Sequence, residues 1–268
     1  MACLNPWCVL KYRVNEDRNQ EESIVLNGGV QRPQHRLNMV SVPHNSAQIA
    51  TAPAVTESIL QQVRTLNASA YILRFDRNEV SFRPGQHLRL GVPGHHQSRE
   101  YSIYSGLSDP FLEVLIREVK RGTVSRELRA CRPGDTLRAQ GPLGVFRLDG
   151  SPEAQTEHLF IATGTGIAPF HSMIRSIPAL NYTLLHGIRS AQDSFEMQDY
   201  DPSRIITCSR RDPACDFKGR VTDYIQRYPV DPRTRVYLCG NCDMIYEAHA
   251  ILTSQGIPAL SIRTEVYF

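Results

Sequence analysis

Two hydrophobic rhythms that meet near residue 150 do most to limit what this chain can fold into. Between residues 50 and 150, short runs alternate apolar and polar at 56–60, 70–75, 87–90, 101–104, 112–116 and 136–139. A period of two puts successive side chains on opposite faces, as a half-buried strand requires. Turn formers separate the runs: Asp76-Arg77-Asn78, Pro84-Gly85, Ser108-Asp109-Pro110 and Pro133-Gly134-Asp135. Six short strands at this spacing predict a small antiparallel β-barrel, interrupted by one helix over 124–130. After residue 150 the rhythm becomes strand, then helix. Strands are expected at 158–162, 182–186, 205–208 and 236–239, with helices ending near 174 and lying over 222–227 and 244–255. That alternation predicts a parallel sheet with helices on both faces. The expected architecture is therefore β followed by α/β: a barrel domain over 50–150 and an α/β domain over 151–268, divided near Ser151-Pro152. Residues 1–49 are polar and without useful period, and are read as an irregular N-terminal extension.

Composition removes several classes of function. A net charge of +3 over 268 residues is too small to argue for nucleic acid, though it suits an acidic protein partner. No apolar run approaches the roughly 20 residues of a membrane span. The first twenty residues are broken by Lys11, Arg13, Glu16 and Asp17, so they carry no signal-peptide core, and a cytoplasmic monomer is the default expectation. The seven cysteines are scattered. Cys3 and Cys8 have the first spacing of an iron–sulfur loop, but Lys11 stands where the next ligand belongs, so no built-in cluster or metal is expected. Cys239-Gly240-Asn241-Cys242 is a CxxC in letters only, because it follows a late strand rather than the first strand of a small redox domain. His95-His96 lies in a loop with no third ligand suggested.

Several stretches carry residues suited to chemistry. In Arg99-Glu100-Tyr101-Ser102, strand alternation puts Arg99 and Tyr101 on one face and Ser102 on the other. Arg99 offers a flat fork of donors for a phosphate, and Tyr101 a ring that can stack on a heterocycle. Thr163-Gly164-Thr165-Gly166-Ile167-Ala168-Pro169 joins the first sheet strand to its helix. Its glycines let the backbone approach a phosphate, and the helix start supplies unbonded N–H groups. Pro169 replaces the third glycine of the usual dinucleotide fingerprint but is tolerated in a first helical turn. Gly122, Thr123 and Ser125 open the barrel-domain helix, where the same physics applies and an ordinary N-cap is the alternative. Arg189-Ser190, Ser209-Arg210-Arg211 and Arg220 occupy loops after parallel strands. Arginines at these loop positions suit a dianionic phosphate and favour NADP(H) over NAD(H). The chain ends Glu265-Val266-Tyr267-Phe268, placing aromatics where a chain usually frays.

The order and spacing of these motifs, from about residue 50 to the C-terminus, resembles the ferredoxin–NADP reductase family, and its bacterial branch in particular. The resemblance implies an FAD-binding barrel followed by a pyridine-nucleotide domain. It implies that Arg99 and the helix start at Gly122, Thr123 and Ser125 share the FAD pyrophosphate. Tyr101 would pack on one flavin face, Ser102 near flavin N5, and Leu115, Ile116 and Arg117 along the ring edge. Tyr267 would cover the other face and Phe268 the adenine. Thr163, Gly164, Thr165 and Gly166 would receive the NADP pyrophosphate, while Cys239 and Gly240 pack against nicotinamide and Glu265 polarises or relays a proton. The implied reaction moves electrons between NADP(H) and a one-electron carrier, ferredoxin or flavodoxin. A basic rim of Arg117, Lys120, Arg121, Arg126, Arg129 and Arg132 would steer that acidic carrier. The alternative is a reductase component that supplies an oxygenase or another partner protein.

Overall fold

The computed structural model describes residues 55–148 and 156–267; the extension over 1–49, the boundary at Ser151-Pro152 and the proposed adenine contact of Phe268 lie outside the described residues. The first half forms β1 (Val55–Thr65), β2 (Ala70–Asp76), β3 (His87–Gly91), β4 (Arg99–Ser102), β5 (Phe111–Arg117), α1 (Val124–Ala130) and β6 (Thr136–Leu143). All pairings are antiparallel, in the order β4-β3-β6-β1-β2-β5. The two end strands meet through an Ile103–Val114 bridge and the Tyr104 N–H to Glu113 carbonyl bond of 2.7 Å, so the barrel is nearly closed. Inward residues of every alternating run fill it, among them Leu60, Tyr71, Leu73, Phe75, Leu88, Leu90, Ile103 and Val114, with Leu128 of α1.

The second half forms β7 (His158–Thr163), α2 (Ala168–Ser176), β8 (Tyr182–Gly187), β9 (Ile205–Ser209), β10 (Phe217–Lys218), α3 (Val221–Arg227), β11 (Arg235–Gly240), α4 (Cys242–Ser254) and β12 (Ile262–Val266). Its sheet is wholly parallel, in the order β10-β9-β8-β7-β11-β12. Alternation along β7 assigns its side chains to two cores. Leu159 and Ile161 pack under α3 and α4 with Val221, Ile225 and Leu252. Phe160 and Ala162 face α2 with Phe170 and Met173, and that core runs on into Ala70, Ile72, Tyr104 and Leu115 of the barrel. Strand order reverses between β8 and β11, on either side of β7, which opens a crevice at their carboxyl ends.

Two features differ from the sequence reading. β1 runs to Thr65, past the alternation at 56–60, because its first half pairs with β6 and its second half, beyond a bulge near Leu60, pairs with β2. The segment before Tyr267 is no tail. It is the edge strand β12, in parallel register with β11 so that Glu265 lies opposite Cys239.

Candidate active site

Four elements converge at the crevice. Ser102 ends β4 and is buried, and Glu265 is 7% exposed on β12. The Ser102 hydroxyl donates to Glu265 Oε2 at 3.2 Å, and the Tyr267 hydroxyl donates to Ser102 Oγ at 2.6 Å. The three groups thus form one directed chain ending on a carboxylate, an arrangement in which each bond polarises the next. Tyr267 is half-buried, and its backbone N–H bonds the Gly240 carbonyl at 2.8 Å. Burial, with Cys239 and Glu265 nearby, holds its phenol well above the ordinary value, so the hydroxyl stays a donor. Cys239 is buried beneath this group, and it and Cys242 are thiols rather than a disulfide.

The glycine turn after β7 sits tightly against β11. A Cβ at Gly166 would come within 2.4 Å of the Cys239 carbonyl oxygen, and one at Gly240, where φ is +135°, within 2.2 Å of Thr163 Oγ1. Thr163 Oγ1 in turn accepts the Asn241 N–H at 2.9 Å, and the Asn241 side chain caps α4. Gly164 adopts φ +54° over open space, with Arg117 Nη1 of the barrel as the nearest atom, 3.7 Å from its virtual Cβ. A left-handed glycine facing outward beside a guanidinium suits an anion. His186, buried on β8, donates from Nε2 to the Gly164 carbonyl at 2.9 Å. Burial pushes this imidazole down to about 4, so it remains neutral as an anchor for the loop.

The other expected residues divide by what they have to offer. The Arg99 guanidinium is exposed and, among the described residues, donates only to the adjacent Ser98 carbonyl, at 2.8 Å, which leaves most of its fork uncommitted there. Tyr101 packs on the barrel core yet stays partly exposed, and burial pushes its phenol up to about 12. Ser125 Oγ accepts the Val119 N–H at 3.1 Å, so it braces the loop before α1, while Gly122 and exposed Thr123 precede it. Leu115 and Ile116 are buried, so only their backbone can line a ligand, along an edge of β5 with no partner strand beyond the bridge at Val114 among the described residues. Arg189, Arg210 and Arg211 are exposed and make no ion pair among the described residues. Ser190 caps a short 3-10 turn, and Ser209 is buried with its hydroxyl donating to the Arg189 carbonyl at 3.0 Å, so Ser209 shapes the loop. Arg220 pairs with Glu247 at 3.5 Å and precedes α3. His95 bonds Glu127 at 2.8 Å, a loop-to-helix contact.

An antiparallel barrel joined to a parallel α/β sheet, with a glycine turn and a buried polar cluster at their junction, is the architecture of a two-domain nucleotide-dependent oxidoreductase. Residues 57–148 match the oxidoreductase FAD-binding domain family, and residues 160–250 the oxidoreductase NAD-binding domain family. The chain is 31% identical to ferredoxin–NADP reductase B of Sorangium cellulosum over 241 residues, covering 79% of this chain and 97% of that protein. It is also 31% identical to the toluate 1,2-dioxygenase electron transfer component of Pseudomonas putida over 236 residues, covering 82% of this chain and 69% of that one. Its fold superposes on a ferredoxin NADP+ reductase from Neisseria gonorrhoeae with a TM-score of 0.71 at 22% identity, covering 80% of this chain and 99% of that one. The chain belongs to the ferredoxin–NADP reductase family and is an FAD- and NAD(P)-binding oxidoreductase. Its residues fit both groups: the open Gly164 cradle beside Arg117 and the uncommitted Arg99 fork are anion sites, and Tyr101 offers a partly exposed ring. Among the described residues, no helix is long and apolar enough to cross a membrane.

Sequence reasoning missed His87, which faces Glu265, and His171, which joins α2 to the segment after β4. Motif matching had no signal for either, because both act through partners distant in sequence.

Proposed function

We propose that the chain moves electrons between NADP(H) and a one-electron carrier of the ferredoxin or flavodoxin type, with FAD in the barrel. The observation that carries the nucleotide choice is the set of exposed arginines at 189, 210 and 211, at the carboxyl ends of adjoining strands β8 and β9 and without ion-pair partners among the described residues. Asp212 shares that loop, but its carboxylate accepts the Ala191 N–H at 2.8 Å and the Ala214 N–H at 2.9 Å. Three cations against one hydrogen-bonded anion leave the pocket net positive, which favours a 2′-phosphate. A bound flavin supplies the conversion of a two-electron hydride into single electrons. The chain's own residues hold and orient: Arg99 and the start of α1 bind the FAD pyrophosphate, Tyr101 and Tyr267 flank the ring, and Ser102 faces the hydride-accepting atom. Thr163–Gly166 take the nucleotide pyrophosphate, and Cys239 and Gly240 form the floor under nicotinamide. Of the six basic residues in the rim, only Arg129 is ion-paired among the described residues, to Glu118 at 3.0 Å. The others remain available to steer an acidic carrier.

The test is anaerobic reduction of the FAD-loaded protein by NADPH and by NADH, followed at the flavin band. NADPH is expected to work at the lower concentration. Arg210→Ala should weaken NADPH use about 10- to 100-fold, the worth of one charge-assisted bond, with NADH use little changed. Equal losses with both nucleotides would remove the 2′-phosphate assignment. The likeness to the toluate dioxygenase component supports a second reading, a reductase that feeds an oxygenase. Under that reading, turnover with ferredoxin or flavodoxin stays negligible until an oxygenase partner is added.

A further inference from the structure

His87 sits opposite Ser102 in the β3–β4 register, so the two side chains share a sheet face. Alternation puts Arg89 and Glu100 on that same face, one pair along. The His87 side chain is 11% exposed, and each of its ring nitrogens faces a different carboxylate. Nδ1 lies 3.8 Å from Glu265 Oε1, and Nε2 lies 3.7 Å from Glu100 Oε2. Glu265 is therefore bracketed, with Ser102 on one oxygen and His87 on the other. The Glu100 side chain is 48% exposed and pairs with Arg89 at 3.2 Å, so this end of the row reaches solvent. The turn after β6 leaves room for the ring: Gly144 has φ +90°, and a Cβ there would lie 2.7 Å from His87 Nδ1.

We propose that His87 is a positioning residue that passes protons between buried Glu265 and surface Glu100. The proposal rests on the reading that Ser102 and Glu265 serve a flavin. Oxidation of NADPH to NADP+ by two one-electron carriers gives each carrier one electron and releases one proton, which begins at the Ser102 end of the cluster. Ser102 Oγ gives a proton to Glu265 Oε2 as it takes one from the reacting side. The protonated Glu265 carboxyl then turns to present that proton to His87 Nδ1, and the ring, which carries its own proton on Nε2, releases that one to Glu100 or to water. Both His87 gaps exceed a hydrogen bond, so each hop needs a small swing of the ring, whose χ2 is soft. Imidazole is the side chain that can both accept and release a proton near neutral pH. Among the described residues, the groups facing it include Glu100 and Ser102 from β4, Gly144 after β6, and Glu265 from β12, with Arg89 acting through Glu100.

The first test needs no turnover. The His87 ring is titrated by NMR in the FAD-loaded, nucleotide-free protein. Glu265→Gln and Glu100→Gln should each lower its midpoint by about half a unit or more, because each removes an anion that favours the charged ring. A midpoint unmoved by both overturns the relay. The second test measures electron output to a one-electron acceptor in His87→Asn and His87→Ala. Output should fall roughly tenfold and show a larger solvent deuterium isotope effect, because proton release becomes the slow step, while hydride uptake from NADPH stays within about twofold. Free imidazole should restore His87→Ala. Unchanged output in His87→Asn, or a loss that imidazole does not repair, sinks the relay alone. A native protein that takes no hydride from NADPH sinks the functional reading instead.

Discussion

The barrel meets the α/β domain at two polar junctions only a few residues apart, and they are built differently. At the active site, Ser102, Tyr267 and Glu265 make a single thread of hydrogen bonds, and the Arg99 fork nearby is mostly uncommitted. Immediately after β4, the segment 104–109 is tied down at almost every residue by α2. His171 Nδ1 donates to the Tyr104 carbonyl at 2.7 Å, its ring stacks on Tyr104 at 3.7 Å, and Nε2 meets Asp199 at 3.0 Å. Ser172 donates to the Ser105 carbonyl, the Leu107 N–H donates to Ser176, and Arg175 forks onto Asp109 at 2.7 and 2.9 Å. Beside this, Glu113 takes Arg64 and Arg74, and Arg64 also pairs with Glu196. His171, Glu196 and Asp199 approach at metal-ligand spacing, but each is already held in an ion pair. The tied seam fixes Ser102 relative to α2 and the Gly164–Gly166 turn that leads into it. Because the seam bears the load, the site can keep its donors for ligands.

Removing one polar side chain from each junction should expose the difference most strongly. Glu113→Ala leaves two guanidinium groups, each about 30% exposed, without their buried partner. The expected cost is about 3 kcal/mol of unfolding free energy, the low end for breaking a buried pair because the arginines keep some solvent. Ser102→Ala should cost about 2 kcal/mol, the worth of its two hydrogen bonds. Urea melts of both variants check this, and equal losses would mean that the two junctions share the load.

Acid should loosen the site before it loosens the seam. His186 is held at about 4 by burial, against 6.5 for the ordinary side chain. The unfolded chain therefore binds more protons between those values, and stability is lost as pH falls through that window. By pH 5 the loss is about 2 kcal/mol, and His186→Gln should abolish it. Asp199 acts lower down. Its hydrogen bond from His171 holds its carboxyl below the ordinary 3.8, so its contribution is present above that value and lost as pH falls below it. Stability measured from pH 7 to 3 should show two separate steps. A His186→Gln profile identical to the native one would show that the Gly164 anchor does not titrate.

Legibility in the sequence divides along the same line. The barrel, the parallel sheet and the glycine turn were readable because each is written in local periodicity or in a strand–turn–helix order. Ser102, Cys239, Glu265 and Tyr267 were nameable because a family spacing marks them, although nothing in residues 262–266 disclosed the edge strand that brings Glu265 to Ser102. The seam and His87 were not legible. His171 pairs with Tyr104 across 67 residues, and Arg64 with Glu196 across 132, so no window of the sequence contains both partners. A histidine in an alternating strand reads as a half-buried residue until the register sets it beside Ser102.

The smallest expected stability effect tests how lightly the site is held. Tyr267→Ser removes a half-buried ring and its 2.6 Å bond to Ser102, but keeps the backbone bond from residue 267 to the Gly240 carbonyl. The loss should be about 1 kcal/mol, because the residue is only half-buried and water can enter where the ring stood. Its functional effect should be larger. On the proposed reading the variant has no ring to displace from the flavin face, so nicotinamide binding would depend less on the 2′-phosphate. The KM for NADH should then fall relative to that for NADPH, and the preference between them should narrow. Steady-state kinetics with both nucleotides decide it: unchanged constants would mean that Tyr267 does not lie over the ring, and the thread from Tyr267 to Glu265 would then serve the fold alone.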